Sequence, residues 1–129
     1  MAHRILLADD NEKVRRLLAR TLEAEGYSVV EAGTGKEALA HLNSSQEFDL
    51  LLTDLEMPDM DGLQVLTEAK RTDPELPVIA ISGAFSGRLL RFAATFGVPT
   101  IEKPFSVPAL LQAVESALPS PGRCTFSAA

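Results

Sequence analysis

Short apolar runs alternate with helical patterns five times along the chain. Ile5, Leu6, Leu7 and Ala8 read as a buried strand; Val14, Leu17, Leu18 and Leu22 then fall on one helical face before Gly26 stops the helix. Tyr27 to Ala32 is strand-like and leads into a short helix carrying Ala38, Leu39 and Leu42. Leu50, Leu51 and Leu52, ending in Thr53 and Asp54, form a continuous hydrophobic run of the kind a parallel sheet buries on both faces. Pro58 and Gly62 bracket a loop, after which Leu63, Val65, Leu66 and Ala69 start a third helix. Pro77 to Ile81 is the fourth strand, and Leu89, Leu90, Phe92, Ala93 and Phe96 the fourth helix, closed by Gly97. A short strand around Thr100 and Ile101 precedes a last helix with Val107, Leu110, Leu111, Val114 and Leu118 at spacings of three and four. Each strand-to-helix connection is too short for a hairpin return, and each helix is long enough for a crossover. The pattern is therefore α/β: five βα units, (βα)5, in a doubly wound five-stranded parallel sheet covered on both faces.

Composition bounds the rest. The 129 residues suit one domain, expected over residues 1–118; from Pro119 the apolar period ends, and residues 119–129 read as a flexible tail or the start of a linker. Eighteen Asp plus Glu against 12 Lys plus Arg give a net charge of −6. That surplus argues against nucleic-acid binding by this domain, since phosphate affinity comes from clustered Lys and Arg. One cysteine, Cys124, excludes an internal disulfide and a Cys-based metal site. The apolar run Ile5 to Ala8, stopped by Asp9 and Asp10, is too short for a secretory signal, and no stretch approaches the roughly 18 apolar residues of a membrane span. A cytoplasmic protein with no membrane contact is expected.

In an open α/β sheet, ligands bind beyond the carboxyl ends of the strands. There the first strand ends in Asp9 and Asp10, the third in Asp54, the fourth in Ser82 and Gly83, and the fifth is followed by Glu102, Lys103 and Pro104. Clustered carboxylates repel one another unless a cation compensates. A hard divalent ion with oxygen ligands, Mg²⁺ above all, is the natural compensator, because it keeps waters and readily takes a phosphate oxygen. The arrangement suits phosphoryl transfer onto a carboxylate to give an acyl phosphate. Asp54, the last residue of a central buried strand, is the candidate nucleophile; Asp9 and Asp10 would hold the metal, and the Lys103 amine would offset remaining charge.

These residues carry a family resemblance. The chain resembles the receiver domain of response regulators in bacterial two-component signalling, of the chemotaxis-regulator type. The match rests on the pair Asp9 and Asp10, the run from Asp54 through Glu56, Pro58 and Asp61 to Gly62, the triplet Ser82-Gly83-Ala84, and Lys103-Pro104-Phe105, in order over about residues 4 to 118. The resemblance implies a flavodoxin-like receiver fold in which Asp54 accepts a phosphoryl group from a histidine kinase phosphohistidine. It implies that Asp10, Asp54 and the Glu56 backbone carbonyl ligate Mg²⁺, with Asp9 acting through water. Lys103 would pair with the phosphoryl oxygens, Ser82 would hydrogen-bond one of them, and Pro104 would follow a cis bond. Such a domain catalyses its own phosphorylation and dephosphorylation without being a turnover enzyme in the usual sense. Its partners would be a sensor histidine kinase or a histidine phosphotransfer protein and a downstream effector of unknown kind, met through the face of the fourth helix, fifth strand and last helix. It would be a monomer or a phosphorylation-dependent dimer. The sequence departs from the family pattern at Thr100, where many members carry Tyr or Phe three residues before the Lys; this leaves the coupling to Ser82 and puts an aromatic rotamer switch in question.

Other readings compete. Gly33 to Ala38 fits G-x-G-x-x-A after a strand, with Asp54 about 20 residues on, as in a dinucleotide site. That reading leaves the acidic pair and Lys103 unexplained, and the fingerprint belongs in the first βαβ unit. Val30 and Glu37 exclude a phosphate loop at Lys36, and Asp59-Met60-Asp61-Gly62 follows Pro58 in a loop instead of ending a strand. A receiver-shaped interaction module working without phosphate is a further alternative, opposed by the intact Asp10, Asp54 and Lys103. Asp10 could also be a helix N-cap. Lys13, Arg16 and Arg20 line one side of the first helix, as a solvated face or a docking surface for the phosphodonor; His3 and His41 are expected at the surface.

Overall fold

Alternation explains how the central strands can be apolar without interruption. The computed structural model describes residues 3–57, 60–82, 98–102 and 106–118. Its main sheet contains β1 (Arg4–Ala8), β2 (Ser28–Ala32), β3 (Leu50–Asp54), β6 (Val78–Ser82) and β7 (Thr100–Glu102), all parallel, in the order β2-β1-β3-β6-β7. Successive side chains of a strand point to opposite faces. Leu6, Ala8, Leu51, Val78 and Ala80 accordingly pack on one side with Ala38 and Leu42 of α2 (Gly35–Leu42) and Val65, Leu66 and Ala69 of α3 (Gly62–Thr72). Ile5, Leu7, Leu50, Leu52, Ile79 and Ile81 pack on the other with Leu18, Ala19 and Leu22 of α1 (Glu12–Ala24) and Leu110 and Val114 of the helix Val107–Ala117. Both faces are covered, as the doubly wound pattern requires.

Leu17, Val107 and the loop after Pro58 differ from the sequence reading, whereas Gly26 ends its helix as expected. Leu17 and Val107, assigned to buried helical faces, are 62% and 48% exposed. Leu17 lies at the solvent edge of the α1 stripe, and Val107 is the first residue of its helix, capped by Ser106. The loop bracketed by Pro58 and Gly62 holds a two-stranded antiparallel hairpin, β4 (Glu56–Met57) with β5 (Met60–Asp61), in which Glu56 pairs with Asp61. Gly26 ends α1 at φ +95°, a left-handed conformation that glycine adopts without strain, and its N–H donates to the Glu23 carbonyl at 3.0 Å.

The expected helix over Leu89–Phe96, Gly83, Ala84, Lys103, Pro104 with its expected cis bond, Phe105, Pro58, Asp59, the Ser82 side chain and the tail with Cys124 lie outside the described residues.

Candidate functional site

Strand order places the site. The chain leaves β1 for β2 on one side and returns to β3 on the other, so β1 and β3 are neighbours whose following connections run to opposite faces of the sheet. A crevice at such a switch point, beyond the carboxyl ends, is where open α/β sheets bind ligands. Ala8 is in register with Thr53, which brings Asp9 and Asp10 alongside Asp54. Carboxylate oxygens of Asp9, Asp10 and Asp54 all lie within 4.8 Å of one another. Asp9 is fully buried, Asp54 is 3% exposed, and Asp10 is exposed at the rim.

Each carboxylate is held by its element. Asp54 ends the middle strand, Thr53 Oγ1 donates to its carbonyl at 3.1 Å, and the next residue, Leu55, is buried in the core with its N–H donated to Ile81 at 2.9 Å. Asp9 donates its N–H to the Ala32 carbonyl at 3.1 Å and accepts the Asn11 N–H on Oδ1 at 2.9 Å. Asn11, not Asp10, caps α1: its side chain accepts the Val14 N–H at 3.1 Å. Asp10 is thereby left out of the helix cap, between two anchored residues. Glu56 stands two residues past Asp54 in the hairpin. Ser82 ends β6 opposite Glu102, and Thr100 is exposed at the start of β7.

The donor set fits a small hard cation. Oxygens held at about 2.1 Å from one Mg²⁺ sit at most about 4.2 Å apart across an octahedron. The separation here needs only slight closure. Carboxylate oxygens are the ligands such an ion takes.

Arg15 was not singled out in the sequence. It is half-buried on α1; its Nε donates to Glu31 Oε1 at 2.9 Å and its Nη1 donates to the Asp9 carbonyl at 3.1 Å. The signal for it was available: a cation one turn into a helix that follows an acidic pair.

The dinucleotide fingerprint resolves into a helix cap. Thr34 caps α2 by accepting the Glu37 N–H at 3.1 Å, and Glu37 Oε1 accepts the Gly33 N–H at 3.3 Å. A Cβ on Gly33 would meet Arg15 Nη1 at 3.0 Å, so the space at this glycine is filled by a side chain of the protein itself. The Gly33 and Glu37 amides are thereby taken up by the cap itself. His41 and His3 are both half-buried rather than exposed, with His3 Nδ1 at 3.7 Å from Asp49 Oδ2.

The response regulator receiver domain model matches residues 5–115, most of the chain. The chain belongs to the response regulator receiver domain family. It is 38% identical to the transcriptional regulatory protein GlrR of Escherichia coli over 92% of this chain and 27% of GlrR, so it spans about a quarter of that relative. It is 36% identical to the response regulator receiver protein CpdR of Brucella abortus, over 89% of this chain and 96% of CpdR. A CheY-like response regulator receiver domain protein of Methanospirillum hungatei superposes with a TM-score of 0.85 at 32% identity, covering 90% of this chain and 93% of that one. The function of this receiver domain is phosphoryl acceptance in two-component signalling. Receiver domains generally use Mg²⁺ at an acidic pocket, which the aspartate cluster supplies here, and they work with sensor kinases and output domains. Among the described residues, no helix is long and apolar enough to cross a membrane.

Proposed function

We propose that Asp54 is the phosphoacceptor and that the donor is the phosphohistidine of a sensor histidine kinase or a histidine phosphotransfer protein. The supporting observation is the convergence of three carboxylates on one crevice, with Asp54 at the end of the middle strand of the sheet. A carboxylate oxygen of Asp54 attacks phosphorus in line with the phosphorus–nitrogen bond. That bond breaks, and the imidazole leaves with its electron pair and takes up a proton. Asp10, Asp54 and the Glu56 carbonyl would hold Mg²⁺, with Asp9 acting through water, and the ion would supply charge neutralisation at the phosphoryl group. Lys103 pairs with those oxygens and Ser82 hydrogen-bonds one of them. Water later removes the phosphoryl group.

The exposed Lys13, Arg16, Leu17 and Arg20 on α1, beside the acidic crevice, form the surface on which the phosphodonor docks. Residues 1–118 are the receiver domain and residues 119–129 a tail or linker. Incubation with a small-molecule phosphodonor and Mg²⁺, read by intact mass, yields a single phosphate adduct that a chelator prevents. An unmodified protein would overturn the reading.

Phosphorylation draws Ser82 and the segment 83–87 toward the site and biases a two-state arrangement of the face that includes residues 89–96, β7 and the helix Val107–Ala117. With Thr100 at the usual aromatic position, Ser82 carries the coupling. Amide shift changes on adding a phosphoryl mimic therefore centre on residues 82 to 103. A response confined to the neighbourhood of Asp54 would refute the coupling.

A further inference from the structure

One planar group ties α1 to two strand ends. Arg15 reaches Glu31, the penultimate residue of β2, through Nε, and the carbonyl of Asp9, just past β1, through Nη1. The guanidinium presents its donors in a rigid fork, so fixing one hydrogen bond orients the other. The Asp9 carbonyl belongs to the peptide that joins Asp9 to Asp10. Holding it therefore fixes the unit from which both carboxylates project. Gly33 leaves the room this requires, since a Cβ there would come within 3.0 Å of Nη1.

We propose that Arg15 is a positioning residue for the Mg²⁺ site, holding the Asp9–Asp10 peptide in the orientation that brings the two side chains to Asp54. The inference rests on the reading of Asp10 and Asp54 as metal ligands. Charge alone would give Arg15 the opposite role, because a cation beside a cation site weakens binding. Pairing with Glu31 at 2.9 Å largely cancels that charge, which leaves the geometric effect dominant. The two accounts predict opposite signs for the same substitution.

The test is a Mg²⁺ titration of the full chain, followed through the amide shifts of Asp9, Asp10 and Asp54. Arg15→Met, which keeps the apolar stem, weakens Mg²⁺ binding about tenfold, the usual scale for losing an outer partner of a metal ligand. Arg15→Lys recovers part of the loss. Gly33→Ala, which changes no charge and crowds Nη1, shifts affinity in the same direction by a smaller factor and serves should Arg15→Met fail to fold. At saturating Mg²⁺ the phosphorylation rate of Arg15→Lys returns to within about twofold of the parent, as expected of a residue that acts through the metal site. Equal or tighter Mg²⁺ binding by Arg15→Met or Gly33→Ala overturns the inference while leaving the proposed function standing. No Mg²⁺ binding by the unsubstituted protein overturns both.

Discussion

Asp54→Asn abolishes the phosphate adduct and leaves the fold in place. Asn matches Asp in shape, so at a position only 3% exposed it leaves no cavity and forces no repacking. The amide protons have acceptors at hand in the Asp9 and Asp10 carboxylates, whose oxygens lie within 4.8 Å. What disappears is the nucleophile: an amide oxygen lacks the charge a carboxylate brings to phosphorus. The expected record is a folded protein by circular dichroism, with no mass increase after phosphodonor and Mg²⁺ under conditions where the parent is fully modified. An adduct retained by Asp54→Asn would place the acceptor elsewhere. Hydroxylamine, which cleaves an acyl phosphate and spares a phosphate ester, would then tell Asp10 from a serine.

The three acids are not interchangeable, and their surroundings say why. Asp9 is fully buried, and one of its oxygens is engaged by the Asn11 amide, so a bulky donor cannot approach it in line. Asp10 is exposed on the connection between β1 and α1. Asp54 combines slight exposure with attachment to the middle strand, whose neighbours β1 and β6 hold it from both sides. Positioning and electrostatic stabilisation account for most of what a protein contributes to phosphoryl transfer, and an acid fixed on a central strand yet open to the crevice is suited to take the group.

Most of this was legible in the sequence because it depends on long-range repetition. The run Leu50-Leu51-Leu52 announces a doubly covered strand, and acids immediately beyond apolar runs must sit at the carboxyl edge of a parallel sheet. Features that depend on a single contact were not legible. The β4–β5 hairpin has two-residue strands, too short for any period to show. The cap of α1 went to Asn11 because its side chain reaches Val14 N, while Asp10, an equally good capping type, is one residue too early. Arg15 shares its one sequence signal, a cation near the start of a helix after an acidic pair, with the neighbouring cations of α1; its role shows only in its distances to Glu31 and the Asp9 carbonyl. The helical stripe that claimed Leu17 was one position too wide, since a stripe on an amphipathic helix has no sharp edge in sequence.

Two leucines that look alike in the sequence therefore differ sharply in what they hold together. Leu51 is fully buried at the centre of β3, in register with Leu6 on one side and Val78 on the other. Leu51→Ala removes buried methyl groups and leaves a cavity that strands paired on both sides cannot collapse, costing about 2–5 kcal/mol. Against the about 5–15 kcal/mol that stabilises a typical domain, this is a large fraction of the total. At roughly 3–5 °C per kcal/mol for a chain of this size, the melting temperature falls by about 10–18 °C for a mid-range loss. Leu17, at 62% exposed, has little left to lose, and alanine is the better helix former, so Leu17→Ala changes stability by no more than about 0.5 kcal/mol. Thermal melts of both variants without Mg²⁺ check the contrast, and equal losses would contradict the packing described for α1. Because β3 also carries Asp54, Leu51→Ala slows phosphoryl uptake even where it remains folded, whereas Leu17→Ala leaves uptake from a small-molecule donor unchanged and lowers it only from a docked protein donor.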